Sequence, residues 1–393
     1  PSLVVSQSPL SEPPWKGGYP KLRLWIFRPT NLITMKLTRQ VIKLIRLIPK
    51  VINWIHKAYH LSVSRPAREY TLLISRFERV LKTRGPLAVI AYAKAIREAL
   101  LAYLSGTPLS NPGVRCTRDG IPLALGPWIG GIRNGGRQVS LPVILTILYS
   151  TRALHAGRQP DISPIVDPPS GVASASKAKY ARDFWRSLGY LPSQKVPRAL
   201  GWKQYHFTTK SGPNGHALWQ SLSDLASLPE SLIESLSVMG GEKFAKILAV
   251  VKSMLHILAY VLPVKEGKIR KLSYFPDKEA KVRVIAILDY WSQTVLRVLH
   301  RYLFRVLKKI PQDCTFHQGS FMDKLEGAEI YYSIDLTAAT DRFPITLIAN
   351  VLKGALPFHY VDHWVNVMVG YPFDYDGKGI SYAVGNPMGA YSS

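Results

Sequence analysis

Apolar residues recur at helical spacing through the first quarter of the chain. Val41, Leu44, Ile45, Ile48, Ile52 and Ile55 form one stripe, with Lys43, Arg46, Lys50 and Lys57 between them. That pattern predicts a basic amphipathic helix. Leu72, Ile74, Phe77, Val80 and Leu81 mark a second helix, and Ala88 to Tyr103 a third. Turn formers follow (Gly106, Pro108, Pro112, Gly113), then the glycine-rich run Trp128 to Arg137. Its spacing fits no phosphate-binding loop, so it reads as a plain loop. Pro160 to Ser176, rich in Pro, Ser and Gly, reads as a connector between subdomains. His206 to His216 predicts a strand running into a tight turn at Gly212-Pro-Asn-Gly215. Residues 217–262 read as largely helical. The most apolar stretch, Ile247 to Val264, is interrupted by Lys252 and His256 and reads as a buried helix, not a membrane span. The period then changes. Branched runs at Lys281–Ile287 and Tyr331–Leu336 predict strands on either side of a helix at about 290–309.

Composition sharpens this picture. A hydrophobic content of 47% places the chain among globular proteins. Lys and Arg number 51 against 25 Asp and Glu, a net charge of +26. A polyanion is the partner such an excess favours, because each neutralised phosphate releases counterions. Between Pro13 and Arg68 there are twelve Lys and Arg and no acid. The amphipathic helix in that span suits a membrane surface or a transit segment, but is expected to pack on the protein and turn its basic face to RNA. Cys116 and Cys314 stand far apart, so neither a disulfide framework nor a zinc cluster is implied. No secretory signal pattern is present. The chain starts at Pro1 and stops at Ser392-Ser393 without a helix stop, and is read as a fragment.

Three segments carry candidate chemistry. Tyr331-Tyr-Ser-Ile-Asp335 alternates like a strand and ends on a carboxylate, with Asp341 beyond a small-residue turn. Nucleotidyl transfer needs carboxylates that hold two Mg²⁺ ions about 4 Å apart, and hard Mg²⁺ selects oxygen ligands. Alone, such an Asp pair is far more often a helix cap and a solvated charge. Upstream, Lys278, Lys281 and Arg283 cluster at the start of an apolar strand. Two residues apart on a strand, Lys281 and Arg283 share a face, which suits a triphosphate as well as it suits an ordinary basic strand end. Downstream, Gly385-Asn-Pro-Met-Gly389 is a loop whose amides suit a base or ribose, or simply a turn.

In this order the segments resemble the RNA-dependent RNA polymerases of mitoviruses, relatives of the narnaviruses. Phe207-Thr-Thr-Lys-Ser-Gly-Pro-Asn-Gly215 and Ile310-Pro-Gln-Asp-Cys-Thr-Phe316 are similar to family blocks. Residues 275–291 look like the triphosphate-binding fingers motif, Asp335 to Pro344 like the first palm motif and Gly385 to Ser393 like the second. Residues 1–200 carry little that can be matched. The resemblance implies an α+β right-hand polymerase. A basic helical N-terminal region would span 1–105, a fingers region 106–330 with its triphosphate strand at 274–291, and the beginning of the palm 331–393, with the thumb and the rest of the palm absent. It implies Asp335 as the catalytic, Mg²⁺- or Mn²⁺-binding aspartate of a two-ion site, and Lys278, Lys281 and Arg283 on the triphosphate. Asp341, with Gly385 and Asn386, would recognise the ribose 2′-hydroxyl, and Ser392 would support ribose or template from a helix start. The family usually has Gln where Asn386 stands. A reverse transcriptase would place an aromatic residue near the sugar, whereas polar Asp341 suits a ribonucleotide.

The implied partners are RNA template and product and ribonucleoside triphosphates, with no stable membrane span, and the implied location is the host mitochondrion. The second palm carboxylates, in a Gly-Asp-Asp turn, are expected beyond Ser393: no Asp-Asp pair occurs in the sequence. Asp374-Tyr-Asp376 precedes the Gly385 loop and reads as a hairpin turn instead. The expectation is an incomplete polymerase, inactive by itself. The alternatives are one half of a polymerase split over two chains and a non-catalytic RNA-binding remnant.

Overall fold

The computed structural model describes residues 32–58, 66–134, 141–155, 159–171, 179–325, 327 and 332–393. It is a helix-rich α+β arrangement around two apolar cores.

Helices α1 (Leu32–Ala58), α2 (Pro66–Arg84), α3 (Pro86–Leu104), α4 (Ile129–Arg133) and α5 (Leu141–Tyr149) enclose the first core. The stripe expected on α1 is the packed one: Val41, Ile45, Ile48, Ile52 and Ile55 are buried, while Lys43, Arg46, Lys50 and Lys57 are exposed. On α2 the inward positions are Tyr70, Leu73 and Phe77, and Leu72 turns outward. Gly85, at φ 83°, reverses the chain before α3, where Pro86 occupies an opening position that needs no N–H. The glycine-rich run is not wholly a loop. Trp128 and Ile132 sink into the core and draw residues 129–133 into α4, and residues 135–137 of that run lie outside the described residues.

The second core begins with α6 (Ser163–Val166) and α7 (Lys179–Ser187). The expected strand at 206–210 is not formed. Only β1 (Ser211–Gly212) and β2 (Gly215–His216) pair, across Pro213-Asn214. The preceding residues are claimed by other contacts, His206 lying against Tyr391 at 5.4 Å between ring centres. Helices α8 (Ser221–Ser227), α9 (Glu230–Gly240) and α10 (Glu242–Val261) follow. The apolar stretch is not the buried helix expected from its sequence. Phe244 and Leu248 of α10 are buried, but Val250, Met254, Ile257 and Tyr260 are exposed. The reason is length: α9 has 11 residues against 20 in α10, so the second half of α10 overhangs its neighbour. Among the described residues α10 is the helix long and apolar enough to cross a membrane.

Strands β3 (Arg270–Pro276) and β4 (Val282–Leu288) form an antiparallel hairpin from Arg270↔Leu288 to Pro276↔Val282. Asp289 then caps α11 (Tyr290–Leu307), accepting from the Ser292 amide at 2.7 Å. After α12 (Phe321–Leu325) and α13 (Ala339–Arg342), the longer α14 (Ile345–Leu352) and α15 (Phe358–Val369) complete the helical layer. Strand β5 (Phe373–Tyr375) joins β3 in parallel, and β6 (Lys378–Ile380) pairs with β5, giving the order β4-β3-β5-β6. The β5–β6 turn is Asp376-Gly377, both at positive φ, so Asp374-Tyr-Asp376 is the hairpin turn its sequence suggests. Asp374 is engaged by Lys268 at 2.5 Å. Buried Arg270 ties this sheet to the end of α15, donating to the Val367 and Met368 carbonyls at 2.5 and 3.3 Å. Those are unpaired last-turn acceptors, where a cation is favoured.

Candidate functional site

The Gly385–Ala390 loop gathers two of the three sequence motifs. On one side the Ala286 amide of β4 donates to the Met388 carbonyl at 2.7 Å. Gly389 sits at φ 121°, and a Cβ there would lie 2.5 Å from the Ala286 carbonyl oxygen. On the other side the Asn386 amide donates to Thr340 O at 2.8 Å, and a Cβ on Gly385 would fall 2.4 Å from the Asp341 carbonyl. Backbone is stacked on backbone at both points, an approach that only glycine allows. The loop is thus a clasp between β4 and α13.

Asp341 lies in the first turn of α13. Tyr382 hydrogen-bonds its carboxylate, and burial pushes that carboxyl above its usual range against the Tyr382 bond. Burial, the Asp341 charge and that bond all push the Tyr382 hydroxyl up in turn. Asp341 Oδ1 and Asn386 Oδ1 are both buried without a hydrogen-bond partner. Arg342 fixes α13 from behind, donating to the carbonyls of Asp167 and Pro168 at 2.6 and 2.8 Å. The Ala383 amide donates to Ile165 O at 2.9 Å. The stretch read as a connector therefore carries, over 163–168, a buttress for the site. Tyr382, Arg342 and this buttress were not assigned by sequence reasoning. Their one signal was adjacency: Arg342 follows Asp341, and Tyr382 comes three residues before Gly385.

Asp335 is placed differently from expectation. Residues 332–336 form no strand; they run without regular structure, with Tyr332, Ile334 and Leu336 88%, 84% and 59% exposed. Alternation predicts a strand only where a neighbour supplies the ladder, and no described strand pairs here. Asp335 itself is exposed. Among the described residues no three or more His, Cys, Asp or Glu side chains converge as metal ligands. One exposed carboxylate supplies too few ligands to make a two-ion site by itself.

Lys278, Lys281 and Arg283 are exposed at the β3–β4 hairpin tip. The tip is closed by the Asp277 amide on Lys281 O at 2.7 Å. Arg283 Nε donates to Asp277 Oδ2 at 2.5 Å and holds that carboxyl below its usual range. Glu279 and Ala280 both adopt positive φ, 58° and 55°. They are held from the first core: Glu279 pairs with Arg97 at 2.8 Å, and the Ala280 amide donates to Leu154 O at 3.0 Å. Arg283 lies three residues before Ala286, about 10 Å along the strand from the clasp. Ser392, at φ 66°, is nearly buried and accepts from Trp364 Nε1 at 3.1 Å, so its hydroxyl is engaged inside the second core.

Residues 200–393 match the mitovirus RNA-dependent RNA polymerase family. The chain is 29% identical over 352 residues to the RNA-directed RNA polymerase of Cryphonectria parasitica mitovirus 1, an alignment covering 82% of this chain and 42% of that protein. The chain thus spans less than half the length of this curated relative. No solved structure matches it.

Proposed function

From a chain whose residues 200–393 carry the mitovirus RNA-dependent RNA polymerase signature, we propose that it forms the fingers and the first part of the palm of an RNA-directed RNA polymerase. The observation that carries this reading is the clasp. The Gly385 loop bonds to β4, the strand that begins beside Lys281 and Arg283, and to α13, which bears Asp341. A triphosphate on the hairpin tip and a ribose over Asp341 then belong to one nucleotide. Arg283, now bonded to Asp277, exchanges that carboxylate for phosphate oxygens of higher charge. Lys278 and Lys281 supply mobile point charges beside it. The backbone at 385–390 is held at both ends, so the site is organised before the nucleotide arrives.

Asp335 is the contribution of this chain to a Mg²⁺ or Mn²⁺ site. Its exposure leaves it accessible to further ligands, and by itself it does not make that site. In the proposed right-hand layout the described residues bind and orient the nucleotide. RNA template and product are the remaining partners, and the mitochondrion of the host is the proposed setting.

Titration of the chain with a fluorescent ribonucleoside triphosphate tests the reading. Lys281→Ala together with Arg283→Ala is expected to weaken binding by about tenfold or more, since hydrogen bonds to charged groups contribute about 1.5–3 kcal/mol each. Unchanged affinity in the double variant would refute the triphosphate assignment.

A further inference from the structure

Helix α1 carries its charge in one row. Lys36, Arg39, Lys43, Arg46 and Lys50 alternate three and four residues apart, Trp54 takes the next place and Lys57 the one after. At about 100° per residue these cations fall within about a quarter of the helix circumference, opposite the stripe buried in the first core. Every one of them is exposed. Among the described residues none forms an ion pair, and no Asp or Glu occurs between Pro13 and Arg68. On α3, by contrast, Lys94 meets Glu98 one turn on. Like charges one turn apart repel, so the α1 row is relieved by an anionic surface from outside.

Apolar side chains border the row on both edges. Leu47 and Val51 lie on one side beside Trp54, Met35 and Ile42 on the other, and all five are exposed, Trp54 by 68%. An open groove of about 490 Å³ mixes Arg39, Lys43, Arg46 and Lys50 with Ile42 and Leu47. A nucleic-acid backbone would neutralise the cations and leave the aliphatic residues in water. A bilayer answers both, because its phosphates lie outside an acyl layer: long Lys and Arg side chains reach the phosphates while apolar ones and Trp settle at the boundary. The face extends about 33 Å from Met35 to Lys57, a straight edge suited to a flat surface. The helix is also fixed from behind. Gln40 Oε1 accepts from the His155 amide at 3.3 Å, and His56 Nε2 lies 3.1 Å from the Tyr70 hydroxyl. With its larger apolar stripe held in the core, α1 meets a membrane side-on and does not enter it as a span.

We propose that the outer face of α1 is a peripheral docking surface for an anionic phospholipid bilayer. The cation row takes the headgroup phosphates, and Trp54, Leu47 and Val51 enter the boundary between headgroups and acyl chains. The polymerase reading is not needed for this, and the triphosphate titration above can fail while the docking surface stands.

The test is co-flotation of the full chain with vesicles of phosphatidylcholine containing about one third phosphatidylglycerol, beside vesicles of phosphatidylcholine alone. Binding is expected on the anionic vesicles and should weaken as salt is raised. Each cation at an anionic surface is worth about fivefold in partitioning, so replacing Lys36, Arg39, Lys43, Arg46 and Lys50 by Gln should weaken binding by about 100-fold or more. These positions are exposed and Gln is a good helix former, so thermal unfolding should stay near wild type. Lys36→Arg, Lys43→Arg and Lys50→Arg together should keep binding. Trp54→Ala should weaken it severalfold and remove most of the tryptophan quenching caused by brominated acyl chains. Equal binding to both kinds of vesicle, or undiminished binding of the Gln variant, would overturn the proposal. So would a Gln variant that lost a labelled single-stranded RNA as completely as vesicles, with Trp54→Ala and Leu47→Ser without effect on the vesicles: the face would then be a nucleic-acid contact. If Ile257→Ser with Tyr260→Ser on α10 abolished vesicle binding and the α1 variants did not, the membrane contact would be α10 and the assignment to α1 would fall.

Discussion

Asp341 Oδ1 and Asn386 Oδ1 lie on opposite sides of one backbone contact, each buried and each without a donor. Leaving an acceptor so costs about 1–3 kcal/mol, and a ribose 2′-hydroxyl is a donor of the right kind. Asp341→Ala and Asn386→Ala should each reduce the preference for ribo- over deoxyribonucleoside triphosphate by about tenfold. Competition binding between the two measures it, and an unaltered preference would place the 2′-hydroxyl elsewhere. A second residue-scale effect concerns pH. Burial first, and the neighbouring Asp289 second, push the Asp224 carboxyl up to about 7. Folded Asp224 keeps a proton that the unfolded chain releases near pH 4. Its contribution to stability is full below about pH 4 and is lost as pH rises through about 7. Urea unfolding of wild type and Asp224→Asn should therefore show their difference drifting against wild type over this interval, by up to about 1.4 kcal/mol per pH unit. A pH-independent difference would place the proton on another group.

Among elements, the β3–β4 hairpin is the one whose geometry depends on a distant partner. Two successive non-glycine residues at positive φ cost about 1–3 kcal/mol each, and the tip keeps them because α3 holds it. Arg97 and Glu279 are 9% and 11% exposed, and the guanidinium also lies 4.6 Å over the Tyr149 ring. Arg97→Ala strands a nearly buried carboxylate, with an expected cost of about 3–5 kcal/mol. It should also weaken triphosphate binding although Arg97 is proposed to touch no nucleotide. Adding Glu279→Ala should restore part of the thermal stability and little of the affinity. Full recovery of both would show that the tip keeps its shape without α3. The second strand of the hairpin and the helix after it were legible in the sequence, because β4 and α11 are long periodic runs; β3 was not read as a strand. The clamp was not legible, since Arg97 and Glu279 are 182 residues apart and nothing in the pattern around either points to the other. Asp341 and the Gly385 loop were legible as a motif, but the loop's contact with β4 was not, because a backbone-to-backbone approach leaves only the glycines as its trace. Residues 332–336 misled, because alternation records a preference for pairing and says nothing about which partner is present.

Across the whole molecule the same hairpin joins the two cores. Ala280 is fully buried in the first, while Val284, Ala286 and Leu288 belong to the second. Among the described residues the helical body is thereby coupled to the site through this turn. Ala280→Glu, which forces a charge into the first core, should raise amide hydrogen exchange in α3 and in β4 together. Faster exchange confined to one of them would mean that the cores open independently. The overhang of α10 belongs to this scale too. Its exposed Val250, Met254, Ile257 and Tyr260 form an apolar ridge on an otherwise basic surface, and patches of this kind promote self-association.

The two glycines of the clasp have a consequence at the level of the gene. Every amino-acid-changing substitution in a glycine codon adds a Cβ, and at Gly385 and Gly389 that atom would meet backbone that has nowhere to move. These two codons are free to drift at the third base alone, whatever the mutation rate of the genome that carries them.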